Sequence, residues 1–341
     1  MRSGPSRAVG IWLLLVAGAV VVQVVLGGIT RLTDSGLSIT EWQPLLGVVP
    51  PLDDAGWEAA FARYREIPQY QLLKRHLTLE EFRGIYFWEW LHRVWARLLG
   101  VAFAAPLVVF WRRGLARGLE RRLLALLALG GLQGVVGWIM VASGLSERVY
   151  VSHLRLAAHF LLAAALLAAL VWEGLAIVRP PPQQAPPRAL RVATAALGAG
   201  LFVQFAWGAF MAGLKAGLAA PTWPSIRGEW LPAELASGRW WWDEPLAIHF
   251  VHRTLAYGLT FAIAWWWWRA RSWLRLERHL VLGLVMAQVV LGVVTTLNAY
   301  FEDRLLVLGV AHQLVGVLLL AALVAAAERL RPPPAPLAAP P

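Results

Sequence analysis

Apolar side chains run through this chain in long unbroken blocks, with no extended stretch of the alternation that marks a half-buried strand. Eight blocks stand out, at about 9–29, 86–110, 123–142, 154–178, 190–212, 247–268, 279–298 and 305–327. An α-helix rises 1.5 Å per residue, so about 20 apolar residues cross a hydrocarbon core roughly 30 Å thick. The pattern predicts an all-α integral membrane protein with eight transmembrane helices. Polar residues inside these blocks then need a reason. The stretch "YFWEWLHRVWARLLG" (86–100) holds Glu89, His92 and Arg93 within about one and a half turns. An ionisable group at the centre of a spanning helix costs roughly 2.5–3.5 kcal/mol on insertion scales.

The polar interruptions repeat. "QVVLGG" (23–28) and "QFAWGA" (204–209) share Gln-xxx-Gly, and the same offset carries "SGLSITEW" (35–42) onto "AGLAAPTW" (216–223). Gln-xxx-Gly returns as Gln133/Gly137 and Gln288/Gly292, while the even blocks carry His92, His159, His252 and His312. The expected architecture is two four-helix bundles related as a parallel repeat, since four spans return the chain to its starting side. Residues 1–178 form the first half with a large outer loop at 30–85, the Pro-rich 179–189 is the linker, and 190–341 form the second half. Glycines at these positions allow close helix approach. The glutamines suit either hydrogen bonds between helices or contact with a bound group. Within 30–85, Trp57, Phe61 and Tyr64 recur at helical spacing, which predicts a helix lying on the outer membrane interface.

Composition agrees: the chain is 59% hydrophobic and 15% charged, with a mean hydropathy of +0.58. A net charge of +11 changes the picture only through its placement. Arginines cluster in "WRRGLARGLERR" (111–122), "RPPPQQAPPR" (179–188) and "RARSWLRLER" (269–278), and flank the ends as Arg2, Arg7, Arg329 and Arg331. All fall on one side of alternating helices, which places both termini in the cytoplasm. The charge therefore reports topology and not nucleic-acid binding. There are no cysteines, which excludes disulfides and thiolate sites. No transit peptide or cleavage site is evident, so a bacterial inner membrane is expected.

The even helices run inward, and their histidines lie six or seven residues past the estimated outer ends, about 10 Å deep at the rise of an α-helix. Two histidines at one depth on different helices of a bundle suit the axial ligands of a haem. Zinc is disfavoured, because no carboxylate or cysteine completes a shell. His153 and His249 lie nearer the helix ends and are read as interfacial, and His76 and His279 as solvated. Arg93 and Arg253 can meet haem propionates, although a local ion pair of Glu89 with Arg93 would also neutralise both. The position matching Glu89 in the second half is His249. One half thus reads as a cofactor holder, and the other, with a carboxylate one turn from its histidine, as the site of chemistry.

The motifs "GGITRLTDSGLSITEWQPLLGVVPPL" (27–52), "EWLHR" (89–93), "RLAAHF" (155–160), "FVHRTLAY" (250–257) and "AHQLVG" (311–316) together resemble haem A synthases of the Cox15/CtaA type over nearly the whole chain. The resemblance implies an oxidoreductase that converts the C8 methyl of haem O into the formyl group of haem A. It further implies haem b as cofactor on His252 and His312, substrate haem on His92 and His159, and Glu89 as catalytic acid. Arg93, Arg253, Gln23 and Gln204 are expected to contact the bound groups. A haem O synthase and oxidase assembly factors are the implied partners. The chain departs from the family in lacking a cysteine pair in the first outer loop, in "PTWP" (221–224), and at His153 and His249. The rival reading is a non-enzymatic dihaem membrane cytochrome relaying electrons, and a third is a haem exporter or chaperone.

Overall fold

The computed structural model describes residues 5–42, 47–146, 148–236 and 241–333. Among them eight helices are long and apolar enough to cross a membrane. These are α1 (Arg7–Leu32), α4 (Leu79–Arg112), α5 (Glu120–Leu145), α6 (His153–Val178), α7 (Arg188–Gly213), α8 (Pro245–Arg269), α9 (Leu276–Leu297) and α10 (Glu302–Arg329). Two shorter helices, α2 (Asp54–Arg65) and α3 (Pro68–Leu73), lie between α1 and α4. All eight expected spans are present, and this is a multi-pass membrane protein. Gln43–Leu46 of the 27–52 motif, and both chain ends (1–4 and 334–341), fall outside the described residues.

Helix ends follow local chemistry and so overrun the apolar blocks. The expected span at 86 begins at Leu79, because Thr78 and Glu81 form a capping box. The Glu81 carboxylate accepts from the Thr78 backbone N–H at 2.8 Å. This extension, with α1 running to Leu32, shortens the expected 30–85 loop to 33–78. At the linker, α6 stops at Val178 and α7 starts at Arg188, as the run of prolines between them removes donors and blocks helical geometry.

The helix expected at 57–67 exists as α2, capped by Asp53, but its surroundings differ from expectation. Phe61 and Tyr64 are buried, with ring centroids 5.0 and 5.2 Å from Phe82. The extra turns of α4 supply Phe82, which with Tyr86 forms an apolar platform, so the face expected to meet a membrane surface meets protein instead. Burial pushes the Tyr64 hydroxyl pKa up from its ordinary value.

The helices close into two rings, α1–α4–α5–α6 and α7–α8–α9–α10. The rings meet along α1 with α10, α6 with α7, and α6 with α10. The larger core clusters divide the same way, each fed by the helices of one ring. The exceptions are Val317 of α10 in the first core and Ala164 of α6 in the second, which are matching positions when His159 is set on His312. At the end of the bundle bearing α2 and α3, Arg31 donates to the Ala212 and Gly213 carbonyls at 2.5 and 3.1 Å. The Lys215 ammonium meets Asp34 at 2.8 Å. Burial opposes the charge on Lys215, but the hydrogen bond and charge of Asp34 outweigh it and raise its pKa. Asp34 and Lys215 match each other across the repeat and share a left-handed backbone, with φ of 53° and 51°. At the opposite end Arg179 and Arg331 both bind the buried Glu328, at 3.2 and 3.1 Å.

Close approach of α1 to α6 depends on glycine. A Cβ on Gly10 would stand 2.9 Å from the Gly174 carbonyl and 2.7 Å from Val178 Cγ1, whereas one on Gly100 would meet nothing within 4 Å. Gly10→Leu is therefore expected to destabilise the detergent-solubilised protein by about 1–3 kcal/mol, and Gly100→Leu to leave its thermal unfolding nearly unchanged. Equal tolerance of both would contradict this packing.

Candidate functional site

Each of the four intramembrane histidines sits against a glycine on the preceding spanning helix. A Cβ placed on Gly27, Gly137, Gly208 or Gly292 would lie 3.1, 2.9, 3.4 or 3.1 Å from Cε1 of His92, His159, His252 or His312 respectively. The glycines thus open a groove for an imidazole ring. That use is more specific than general helix packing. The glutamine one turn earlier completes each seat. Gln23, Gln133 and Gln204 donate from Nε2 to the backbone carbonyls of His92, His159 and His252 at 3.1, 3.0 and 3.0 Å. A carbonyl can only accept, so these bonds fix which end of each amide faces the histidine. Gln288 lies 3.1 Å from His312 Nε2. The same amides approach the rings: Gln23 Nε2 is 3.2 Å from both nitrogens of His92. The Oε1 atoms of all four glutamines are buried without a hydrogen-bond partner.

The seats bring the rings together in pairs. His252 on α8 and His312 on α10 have ring centroids 6.4 Å apart with planes inclined at 67°. His92 on α4 and His159 on α6 are close enough for a charge on one to act on the other. Among the described residues no three His, Cys, Asp or Glu side chains cluster as metal ligands. Two histidines alone suit an iron whose other ligands come in a porphyrin plane. Metal–nitrogen bonds of roughly 2 Å put the centroids of two opposed imidazoles about 6 Å apart, close to the separation seen. His159 and His312 each also have a buried Nδ1 without a partner. The residues fit a haem in each ring of helices.

Around these pairs the halves differ. Glu89 is 2% exposed. Its Oε2 accepts from Ser38 Oγ at 2.7 Å and from the Ile39 N–H at 2.8 Å. Its Oε1 accepts from Arg93 at 2.5 and 3.1 Å. Arg93 also donates to the Ile39 and Glu41 carbonyls. The local ion pair therefore forms, and it anchors the 38–41 segment to α4. In the second half Arg253 donates to the Thr222 and Ser225 carbonyls, Thr222 being the counterpart of Glu41. Among the described residues no carboxylate pairs with Arg253.

His153 and His249, expected at the interface, are buried instead, at 7% and 1% exposure. The bundle ends are covered by the segments after α1 and α7, which the apolar blocks alone do not reveal. His153 lies 3.2 Å from Asp243. It lines a cavity of about 410 Å³ with Arg148, Tyr150 and Lys215, and none of the four seated histidines lines it. His76 and His279 are exposed as expected. Sequence reasoning singled out Gln23 and Gln204 for the site but not Gln133 and Gln288, although all share the spacing. It missed Ser38 and Ile39, for which no spacing signal exists.

A family model for a cytochrome oxidase assembly protein, COX15-CtaA, matches residues 10–324. The chain is 46% identical to a protein named heme A synthase from Rhodospirillum centenum, over 98% of this chain and 93% of that one. It is 43% identical to one from Rhizorhabdus wittichii, over 96% and 95% of the two chains. A third, from Bradyrhizobium diazoefficiens, is 45% identical over 96% and 93%. With paired histidines on an eight-helix frame and a match along nearly its whole length, this chain belongs to the COX15-CtaA family of cytochrome oxidase assembly proteins.

Proposed function

We propose that the protein is a haem A synthase, a membrane oxidoreductase that converts the C8 methyl of haem O into a formyl group and so makes haem A for terminal oxidases. The observation that carries this reading is the pairing of glycine-seated histidines in each ring of helices, in a chain whose relatives carry the name heme A synthase. Residues 1–178 hold the substrate haem on His92 and His159. Residues 190–341, beyond the 179–189 linker, hold haem b on His252 and His312. A haem supplies one-electron redox chemistry when bound.

The chain's own groups orient and move protons. Gln23, Gln133 and Gln204 hold histidine backbones in register. Arg253 attracts the acidic edge of the haem in its half; Arg93, expected to do the same, has its charge offset by Glu89. On this reading Glu89, one turn from His92 on one face of α4, is the catalytic carboxylate, which would stabilise positive charge developing at the methyl or take a proton from it. Ser38, the Ile39 N–H and Arg93 fix its carboxylate in place. The substrate carries a long isoprenoid tail, so both it and the product reside in the bilayer. Haem O synthase and oxidase assembly factors are the partners on this reading. On this reading both termini face the cytoplasm and the protein sits in a bacterial inner membrane, which the Arg-rich 111–122, 179–188 and 269–278 segments support.

Three outcomes follow. A periplasm-active reporter fused at Pro341 should be silent and a cytoplasm-active one functional; the reverse would overturn the topology. His252→Ala or His312→Ala should strip the stable haem from purified protein, whereas His92→Ala should leave most of it. Equal loss from either half, with two stable haem b groups in the parent, would favour the dihaem cytochrome. Glu89→Gln leaves Arg93 without its countercharge, which for a buried ion pair costs about 3–5 kcal/mol, so the variant is read only as well-expressed protein that still holds haem b. It keeps an acceptor for Ser38, and it should retain haem b and substrate while conversion falls by about 100-fold or more. Haem profiles of membranes containing it provide the readout, and normal haem A from a well-expressed variant would sink the catalytic role.

A further inference from the structure

Setting the two histidine pairs on one another leaves one mismatch in chemistry. The N-terminal half closes its polar pocket internally, with an acid, Glu89, matched to a base, Arg93, and to a hydroxyl, Ser38. The C-terminal half has His249 where Glu89 would be and Ala219 where Ser38 would be. It keeps the arginine, Arg253, and has no acid paired with it among the described residues. Two basic side chains thus stand one turn apart on α8 with no described carboxylate paired to either.

His249 shows the shortage directly. It is 1% exposed, and neither ring nitrogen has a partner within normal hydrogen-bond geometry; the Ala216 backbone stands near it as a loose partner. It lies close enough to Arg253 and to His252 for charge on any of them to be felt by the others. Burying an imidazole with no more than a loose backbone contact costs stability and is uncommon in native proteins. A group that accepts a hydrogen bond and carries negative charge would satisfy both bases.

We propose that His249 is a positioning residue for the bound tetrapyrrole, donating from its imidazole to a carboxylate on the acidic edge of the haem in the C-terminal half, where Arg253 supplies the countercharge. This rests on the reading above that a haem lies between His252 and His312. It assigns the substitution at the Glu89 position a use: the half that keeps its haem replaces an internal acid with a donor for the acid the haem brings.

The test compares His249→Leu and His249→Gln with the parent as purified, haem-loaded protein. The measurements are haem retained through a competition with apomyoglobin and the reduction potential of the retained haem. Losing one charge-assisted hydrogen bond should speed haem loss by about tenfold or more in His249→Leu. It should also lower the potential, since an uncompensated carboxylate favours the ferric state. His249→Gln, which keeps an N–H donor, should recover much of both. A purely packing role for His249, or one satisfied by a free anion, predicts parental potential and retention in His249→Leu, and that result overturns the proposal. His252→Ala separates the two levels of the argument. If it loses haem while His249→Leu behaves as the parent, only the role of His249 falls; if it keeps its haem and spectrum, the haem reading falls with it.

Discussion

An imidazole placed between helices in a bilayer must find both room and hydrogen-bonding partners, because lipid offers neither. Everything distinctive in this structure answers that constraint. A glycine one turn after a glutamine removes a side chain where the ring must lie, and the glutamine amide ties the histidine backbone to the neighbouring helix. The glycine recurs at α1 against α4, α5 against α6, α7 against α8, and α9 against α10; the amide reaches the histidine backbone in the first three and the ring of His312 in the last. Small residues and interhelical amides are ordinary devices of membrane packing. Here they converge on one job, which is to hold two imidazoles near each other inside each ring of helices.

Because the device is repeated, departures from the repeat carry information. Arg93 and Arg253 both clasp the backbone of the segment after the first helix of their half, through Glu41 and Thr222. Only Arg93 also holds a buried carboxylate. Asp34 and Lys215, at matching positions with matching left-handed backbones, meet each other across the boundary between the halves. A symmetric assembly of two copies would place like residues opposite each other there, so opposite charges at this point bind the two halves in one relative arrangement. On the functional reading the same divergence separates a half that holds its haem from a half that acts on one.

Much of this was legible in the sequence. Eight apolar blocks, alternate histidines and Gln-xxx-Gly spacing depend on periodicity and composition, which a single chain displays. The spacing revealed where Gln133 and Gly137 recur, but not that the glycine accommodates a ring, because that needs the rotation of α5 against α6. Glu89 was visible as an anomaly in an apolar block, and its i, i+4 relation to Arg93 suggested the ion pair that forms. Its bonds to Ser38 and Ile39 were not visible, since they join residues about 50 positions apart through a loop without a repeating pattern. The burial of α2, His153 and His249 was missed for one shared reason. Hydropathy places residues relative to a membrane, and it does not show which polar segments fold over the ends of a bundle.

On the proposed function His252 and His312 ligate one iron, and their rings are inclined at 67° in this structure. Low-temperature electron paramagnetic resonance of the oxidised, purified protein tests it directly, because the signal of a low-spin ferric haem depends on its axial ligands and on the angle between their planes. The account predicts a strongly anisotropic low-spin signal with a large principal g value, the form given by two imidazoles far from parallel. A rhombic signal typical of parallel imidazole planes would contradict the ring geometry, and an exclusively high-spin signal would contradict ligation by both histidines.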